Sequence, residues 1–201
     1  MIRHAAAALT VTIFLSGSAV ANPTTQDPTK VPAGNYVLDK RHASLTAKVL
    51  HMGFSHYTLR FNGLDGNFTY DPANWQATKV TFTIDPKSVD TNDPAFNKQI
   101  AGYFDADKYP DITFVSTGVQ GGQDGKGTLT GDLTFRGVTK PVTLDVTFAG
   151  AGHGVVPLGT RLGFSGVTQI KRSDFGLSNS ILNQFAADDV DVIFEGEFEK
   201  K

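Results

Sequence analysis

The stretch from Gly127 to Phe148 constrains this chain more than any other. In its second arm Val142, Leu144, Val146 and Phe148 alternate with Thr143, Asp145 and Thr147, the two-residue period of a strand with one face buried and one wet. The first arm keeps the same phase. Leu129, Leu133 and Phe135 fall on one side, Thr128, Thr130, Asp132 and Thr134 on the other, and Gly131 leaves a gap on the apolar side. Between the arms, Arg136 to Pro141 turns the chain, because Gly137 and Pro141 do not continue a central ladder. A two-stranded ribbon is barely stable in water alone, so its apolar face must find partners elsewhere in the chain.

The partners are further strands. Tyr36 and Leu38, then Leu45, Ala47 and Val49, form two alternating sets, and continuing the second places His51 on the apolar side before Gly53 breaks the strand ahead of Phe54. Thr58–Phe61 and Gly66–Tyr70 read as a hairpin turned by Asn62 to Gly66. Val80, Phe82 and Ile84 make a strand stopped by Asp85-Pro86, and Asp111 to Val119 another. Asp93-Pro94 has the form of an N-cap with proline at the first helical position, and Phe96, Ile100 and Phe104 recur at helical spacing, which predicts one short helix. Gly150 to Gly154 with Pro157 reads as a loop. Leu162, Phe164, Thr168 and Ile170 give a further strand, Lys171 to Ala187 is irregular or partly helical, and Val190, Val192, Phe194 and Phe198 close the chain as a strand. Eight or nine strands with one helix cannot be repeating βαβ units, so the sheet is antiparallel, a barrel or a sandwich. Long strands with short turns favour the barrel.

The N-terminus lies outside this pattern. Arg3 and His4 precede an apolar run from Ala5 to Val20 that ends in small residues at Ala19-Val20-Ala21, which predicts a cleaved export signal over residues 1–21. Residues 22–34, with Pro23, Pro28 and Pro32, read as an extended, mobile leader, and 35–201 as a single domain. The chain has no cysteine, which excludes a disulfide framework and a lipid-modified N-terminal Cys. A formal net charge of −2 gives no footprint for nucleic acid or an anionic membrane surface. Stability must then come from a large apolar interior, and 15 Phe against 5 Tyr and 1 Trp suit one, since Phe has no polar handle to satisfy.

In a barrel the inward side chains include Val49, Phe82, Phe114, Leu133, Phe135, Leu144 and Phe164, with Phe96, Ile100 and Phe104 from the helix as a lid. Eight strands sit at the size where side chains either fill the interior or leave room for one ligand, so a packed core and a lined tunnel both remain open. His51, in phase with these residues, needs a polar partner: a ligand head group, or Ser44, Asn97 or a backbone carbonyl. Phe54 beside it is counted with the lining. Arg172 and Asp174, next to Phe175-Gly176, either bind a phosphate or quinone oxygen at a tunnel mouth or form a structural ion pair. The histidines show no zinc-like spacing, no Gly-x-Ser-x-Gly elbow exists, and the glycine clusters precede no helix, so no metal site, nucleophile or phosphate loop is expected.

Several motifs then fall in an order that resembles a known family. They are Asp39 with His42-Ala-Ser44, His51-Met-Gly53, Ser88-Val-Asp-Thr91, Tyr109-Pro-Asp-Ile-Thr-Phe114, Thr130 to Val142, and Arg172-Ser-Asp-Phe-Gly176. Together they resemble the YceI-like family of exported, lipocalin-like proteins. The resemblance implies an extended eight-stranded antiparallel barrel with one short helix. It also implies a tunnel holding a long amphiphile, a polyisoprenoid or isoprenoid quinone, in a periplasmic carrier that needs no other cofactor. Stable membrane insertion of the mature chain is not expected, and a homodimer is open to it. An enzyme acting on a lipid or quinone with His51 as acid or base, and a packed barrel working through its outer surface, are the competing readings.

Overall fold

The computed structural model describes residues 25–121, 124–155 and 158–201, and there the alternation becomes ten strands. They are β1 Gly34–His51, β2 Ser55–Phe61, β3 Leu64–Tyr70, β4 Lys79–Ile84, β5 Val89–Asp90, β6 Ile112–Gly121, β7 Lys126–Phe135, β8 Val138–Val155, β9 Leu158–Lys171 and β10 Ala186–Lys200. Helix α1 spans Pro94–Tyr103 and the single turn α2 Leu182–Phe185. Every ladder is antiparallel, and the order β10-β9-β8-β7-β6-β4-β3-β1 returns to β10, which closes the eight-stranded barrel that the sequence predicts.

Strand β1 serves three partners. One edge pairs with β10 from Tyr36↔Lys200 to His51↔Ala186; the other pairs with β3 over 34–37 and with β2 over 45–51. Two expectations change as a result. The region 36–49 is one strand, not two, with a register shift between Leu38 and Ala43 that bulges residues 39–42 outward. The predicted hairpin of 58–61 with 66–70 does not form: β2 and β3 lie end to end along β1, and Asn62-Gly63 is a jog held by Asn62 N–H to the Ser88 carbonyl (3.1 Å) and Asp85 N–H to the Gly63 carbonyl (2.9 Å).

Among the described residues the outer edge of β2 pairs with the two residues of β5, and α1 packs beside β5. Asp93 caps this helix as predicted, its carboxylate accepting from the Ala95 and Phe96 N–H groups at 2.9 and 3.2 Å, with Pro94 at the first position. Phe96 and Phe104 turn toward the barrel, meeting the rings of Tyr57 and Phe61.

Gly150 to Gly154, read as a loop, continues β8 and pairs with β9 down to Val155↔Leu158. Its glycines carry no side chain to reveal a strand period, which hid the strand. The leader is also tied down where it is described: Thr25 and Ala151 exchange both backbone hydrogen bonds (2.6 and 2.8 Å), Val31 is buried, and the Tyr36 and Tyr70 hydroxyls donate to the Pro32 and Pro28 carbonyls (2.7 and 2.9 Å). The predicted export signal lies outside the described residues.

On the outside, Arg161 of β9 reaches across β10 to the bulge of β1. Its guanidinium donates to Asp39 Oδ2 (2.5 Å), Glu197 Oε2 (3.2 Å) and Glu199 Oε1 (2.8 Å), joining three strands at the closing seam. Burial acts to raise the Asp39 pKa, yet hydrogen bonds from His42 and Arg161 outweigh it and hold the carboxyl well below the usual carboxylate range. A native carboxylate held below its unfolded value adds stability above the unfolded pKa, about 3.9, and loses it as pH falls further. Asp39→Asn is therefore expected to cost about 1–3 kcal/mol at neutral pH. In urea titrations at a series of pH values, its deficit against the parent should stay constant above about pH 4 and shrink below it.

Candidate functional site

The barrel has two ends with different chemistry. At one lie the β1–β2, β7–β8 and β9–β10 connections and α1; at the other lie the β3–β4 and β6–β7 connections and the strap of residues 25–33. The first end is plugged. Phe61, Phe104, Phe135 and Phe175, all buried, form a run of rings with successive centroids 6.1, 5.2 and 5.8 Å apart. Ile112 and Leu177 belong to the same buried cluster. Stacked, edge and tilted contacts of this kind fill space at close to crystal density.

Above the plug the interior is open. A cavity of about 500 Å³ runs toward the second end, within the range of sites that engulf a drug-sized ligand, about 300–1,000 Å³. Its wall is built from the inward phase of the strands: Leu45 of β1, Phe68 of β3, Val80 and Phe82 of β4, Phe114 of β6, Leu129 and Leu133 of β7, Leu144, Val146 and Phe148 of β8, Leu162 and Phe164 of β9, and Phe194 and Phe198 of β10. Polar groups gather at the rim. Thr29, Thr78, Gln120 and Lys126 sit there with Trp75, and Lys126 is exposed. Deeper in, Thr168 donates its hydroxyl to the Thr143 carbonyl (2.8 Å), and within the wall the buried Ser116 Oγ accepts from the Val80 N–H (2.8 Å). Tyr70 also lines the cavity, its phenol pKa pushed up first by burial and then by Asp27 and Asp71.

Of the residues singled out from sequence, Phe82, Phe114, Leu133, Leu144 and Phe164 meet on this wall. Phe104, Phe135 and Phe175 belong to the plug beneath it, and Val49, Phe96 and Ile100 lie at the plugged end with α1. His51 lies beyond the plug and is exposed, its ring stacked on Phe185 at 6.4 Å and tilted against Tyr57 at 6.5 Å. Phe54, 82% exposed, stands at the tip between β1 and β2. Arg172 is buried, but its partners are not Asp174. It donates to the carbonyls of Ala187 (2.9 Å), Ala186 (2.9 Å) and Leu177 and to Asn183 Oδ1 (3.0 Å), which fixes the chain between β9 and β10. Sequence reasoning left Phe194, Phe148 and Leu162 out of the site although they share the phase of its members. Trp75, in a turn without periodicity, gave no signal.

A second group of side chains lies outside the barrel. Asp39, His42 and Glu197 bring one potential metal-ligand atom each within 4.8 Å of one another, a grouping that sequence spacing did not reveal. The two carboxylates already accept from Arg161, so a cation there would have to displace a guanidinium.

The YceI-like domain signature matches residues 36–198. A UPF0312 protein of Vibrio cholerae is 42% identical over 154 residues, spanning 75% of this chain and 81% of its own length. Among solved structures, BcnA of Burkholderia cenocepacia superposes with a TM-score of 0.72 at 30% identity, over 80% of this chain and 98% of that one. A polyisoprenoid binding domain from Saccharophagus degradans superposes with a TM-score of 0.59 at 19% identity, over 83% of this chain and 98% of that one.

The division into plug and lumen is open to measurement. Leu144→Trp places a larger ring where there is space, so its stability in urea should stay within about 1 kcal/mol of the parent. Phe135→Trp overfills the plug and should lose about 1–3 kcal/mol.

Proposed function

The chain belongs to the YceI-like family, and on that premise we propose that it is a binding and carrier protein that takes the tail of one long amphiphilic lipid, a polyisoprenoid or isoprenoid quinone, into its barrel. The observation that carries the reading is a lumen of about 500 Å³ whose long wall is apolar; among the described residues its one charged lining residue is Lys126, at the rim. Each methylene moved from water into such a wall contributes about 0.8 kcal/mol, so a hydrocarbon tail is held without any polar contact. The polyisoprenoid binding domain from Saccharophagus degradans, which has the same fold, supports this choice of ligand class.

The polar end of the ligand stays at the rim. Burying a charge or an unpaired carbonyl against the apolar wall would cost several kcal/mol, and the Thr168 hydroxyl on that wall is already donated to a backbone carbonyl. Thr29, Thr78, Gln120 and Lys126 offer hydrogen bonds where the cavity meets water. The protein works in the periplasm in this reading, delivered there by the export signal of residues 1–21. Binding is favoured over catalysis because His51, the residue considered as acid or base, faces solvent on the far side of the plug.

Organic extraction of protein purified from its native host, followed by mass spectrometry, should release a prenyl lipid, and the extracted protein should take up prenyl alcohols. Leu144→Trp, folded but with a narrowed lumen, should bind them about tenfold or more weakly. Native protein that yields no lipid and takes up no prenyl chain would overturn the reading.

A further inference from the structure

Three of the phenylalanines that line the lumen, Phe82, Phe114 and Phe194, each lie against a buried glycine. A methyl group on Gly66 would fall 2.5 Å from Phe82 Cδ2 and 2.9 Å from Cε2. One on Gly131 would meet the Phe114 ring, with Cε2 at 2.7 Å, and the Val115 carbonyl at 2.6 Å. One on Gly196 would meet the Phe194 ring, with Cε2 at 3.1 Å, and Leu38 Cδ1 at 3.2 Å. These positions are inward: Gly66 shares its face of the strand with Leu64 and Phe68, Gly131 with Leu133, and Gly196 with Phe194 and Phe198.

Backbone conformation does not explain the glycines. None of the three has a positive φ, unlike Gly53, Gly125, Gly137 and Gly176 in turns. A glycine inside a strand is less stable than alanine when the backbone does not need it. What each supplies is a flat seat on which the neighbouring ring lies along the wall. The two rings seated by Gly66 and Gly196, Phe82 and Phe194, also meet edge to face at 5.1 Å. The space on their free side is the lumen.

We propose that Gly66, Gly131 and Gly196 set the bore of the lumen, and with it the length of hydrocarbon tail it accepts, by holding Phe82, Phe114 and Phe194 against the wall. This rests on the lipid-carrier reading for its ligand, but not for its geometry. Gly66 and Gly196 are the positions to test, because the atoms that a methyl would crowd there most closely are side chain; at Gly131 a carbonyl would also have to move.

The experiment combines crystal structures of Gly66→Ala and Gly196→Ala with binding of a series of prenyl alcohols of increasing length to the full chain. The expected result is a ring swung off the wall into the lumen in each variant, near-parental affinity for the shortest alcohols, and affinity for the longest reduced about tenfold to a hundredfold. Gly66→Ala/Phe82→Leu and Gly196→Ala/Phe194→Leu should recover the longest alcohols, which a general loss of fold would not. Rings that stay in place beside the new methyl, equal loss for every chain length, or failure of the double variants to recover would each overturn the proposal. If the parent binds no prenyl alcohol, the carrier reading fails, and the ring positions in the crystal structures still decide whether the glycines set the bore.

Discussion

Closure between β1 and β10 is the constraint on which this structure depends. A closed sheet has no edge to cover, but closing at eight strands fixes a diameter at which the interior is either filled by side chains or holds one ligand. Strand β1 achieves closure by changing partners along its length, from β3 to β2 on one edge, while β10 stays beside it on the other. The bulge at residues 39–42 absorbs the register shift this requires. Arg161 then ties the bulge to β9 and β10 from outside, using a charged group where solvent and three carboxylates can satisfy it.

With the diameter fixed, side-chain volume decides what the interior becomes, and phenylalanine does opposite things at the two ends. Phe135 stands among Phe104, Phe175 and, one ring further, Phe61, and together they close the barrel. Phe114, Phe82 and Phe194 are the same residue type in the same inward phase, yet they leave a lumen of about 500 Å³. The difference is the neighbour. The plug rings pack on one another, whereas Phe82, Phe114 and Phe194, although Phe82 and Phe194 also touch each other, each have a glycine beside them whose bare backbone leaves room for the ring. Count of aromatics alone therefore could not distinguish a packed barrel from a hollow one.

This also marks how far the sequence could be read. Strict alternation, as in Val142 to Phe148, revealed the strands, their inward faces and the antiparallel barrel, because a period of two follows directly from the pleat. Asp93-Pro94 revealed α1, because its cap is local chemistry. Failures came where geometry is not local. Asn62-Gly63 looks like a hairpin turn, but whether two strands pair or run on depends on β1, more than a dozen residues away. His51 keeps the apolar phase of β1, yet the strand outlives the barrel's interior, so the same phase that buries Ala47 leaves His51 in solvent. The strap was read as free chain because its anchors, Ala151, Tyr36 and Tyr70, are distant in sequence or belong to strands with their own explanation. The one trace of the lumen in the sequence was the gap left by Gly131, visible as a missing apolar side chain but not interpretable without the ring that occupies it.

The buried arginine and the clustered charges bear on selectivity. Arg172 has its donors on three carbonyls and Asn183, and Arg161 is engaged with three carboxylates, so the guanidiniums best suited to grip a phosphate are committed to holding the chain together. The groups along the lumen that retain exposed polar atoms are at its rim and are mostly neutral. An apolar wall separates ligands that differ by a methylene only by about 1–3 kcal/mol, and it cannot recognise functional groups. Discrimination in such a site has to come from shape. The atoms that determine shape here are the faces of a few rings and the glycines that let them lie flat, positions that contribute no hydrogen bond and carry no charge.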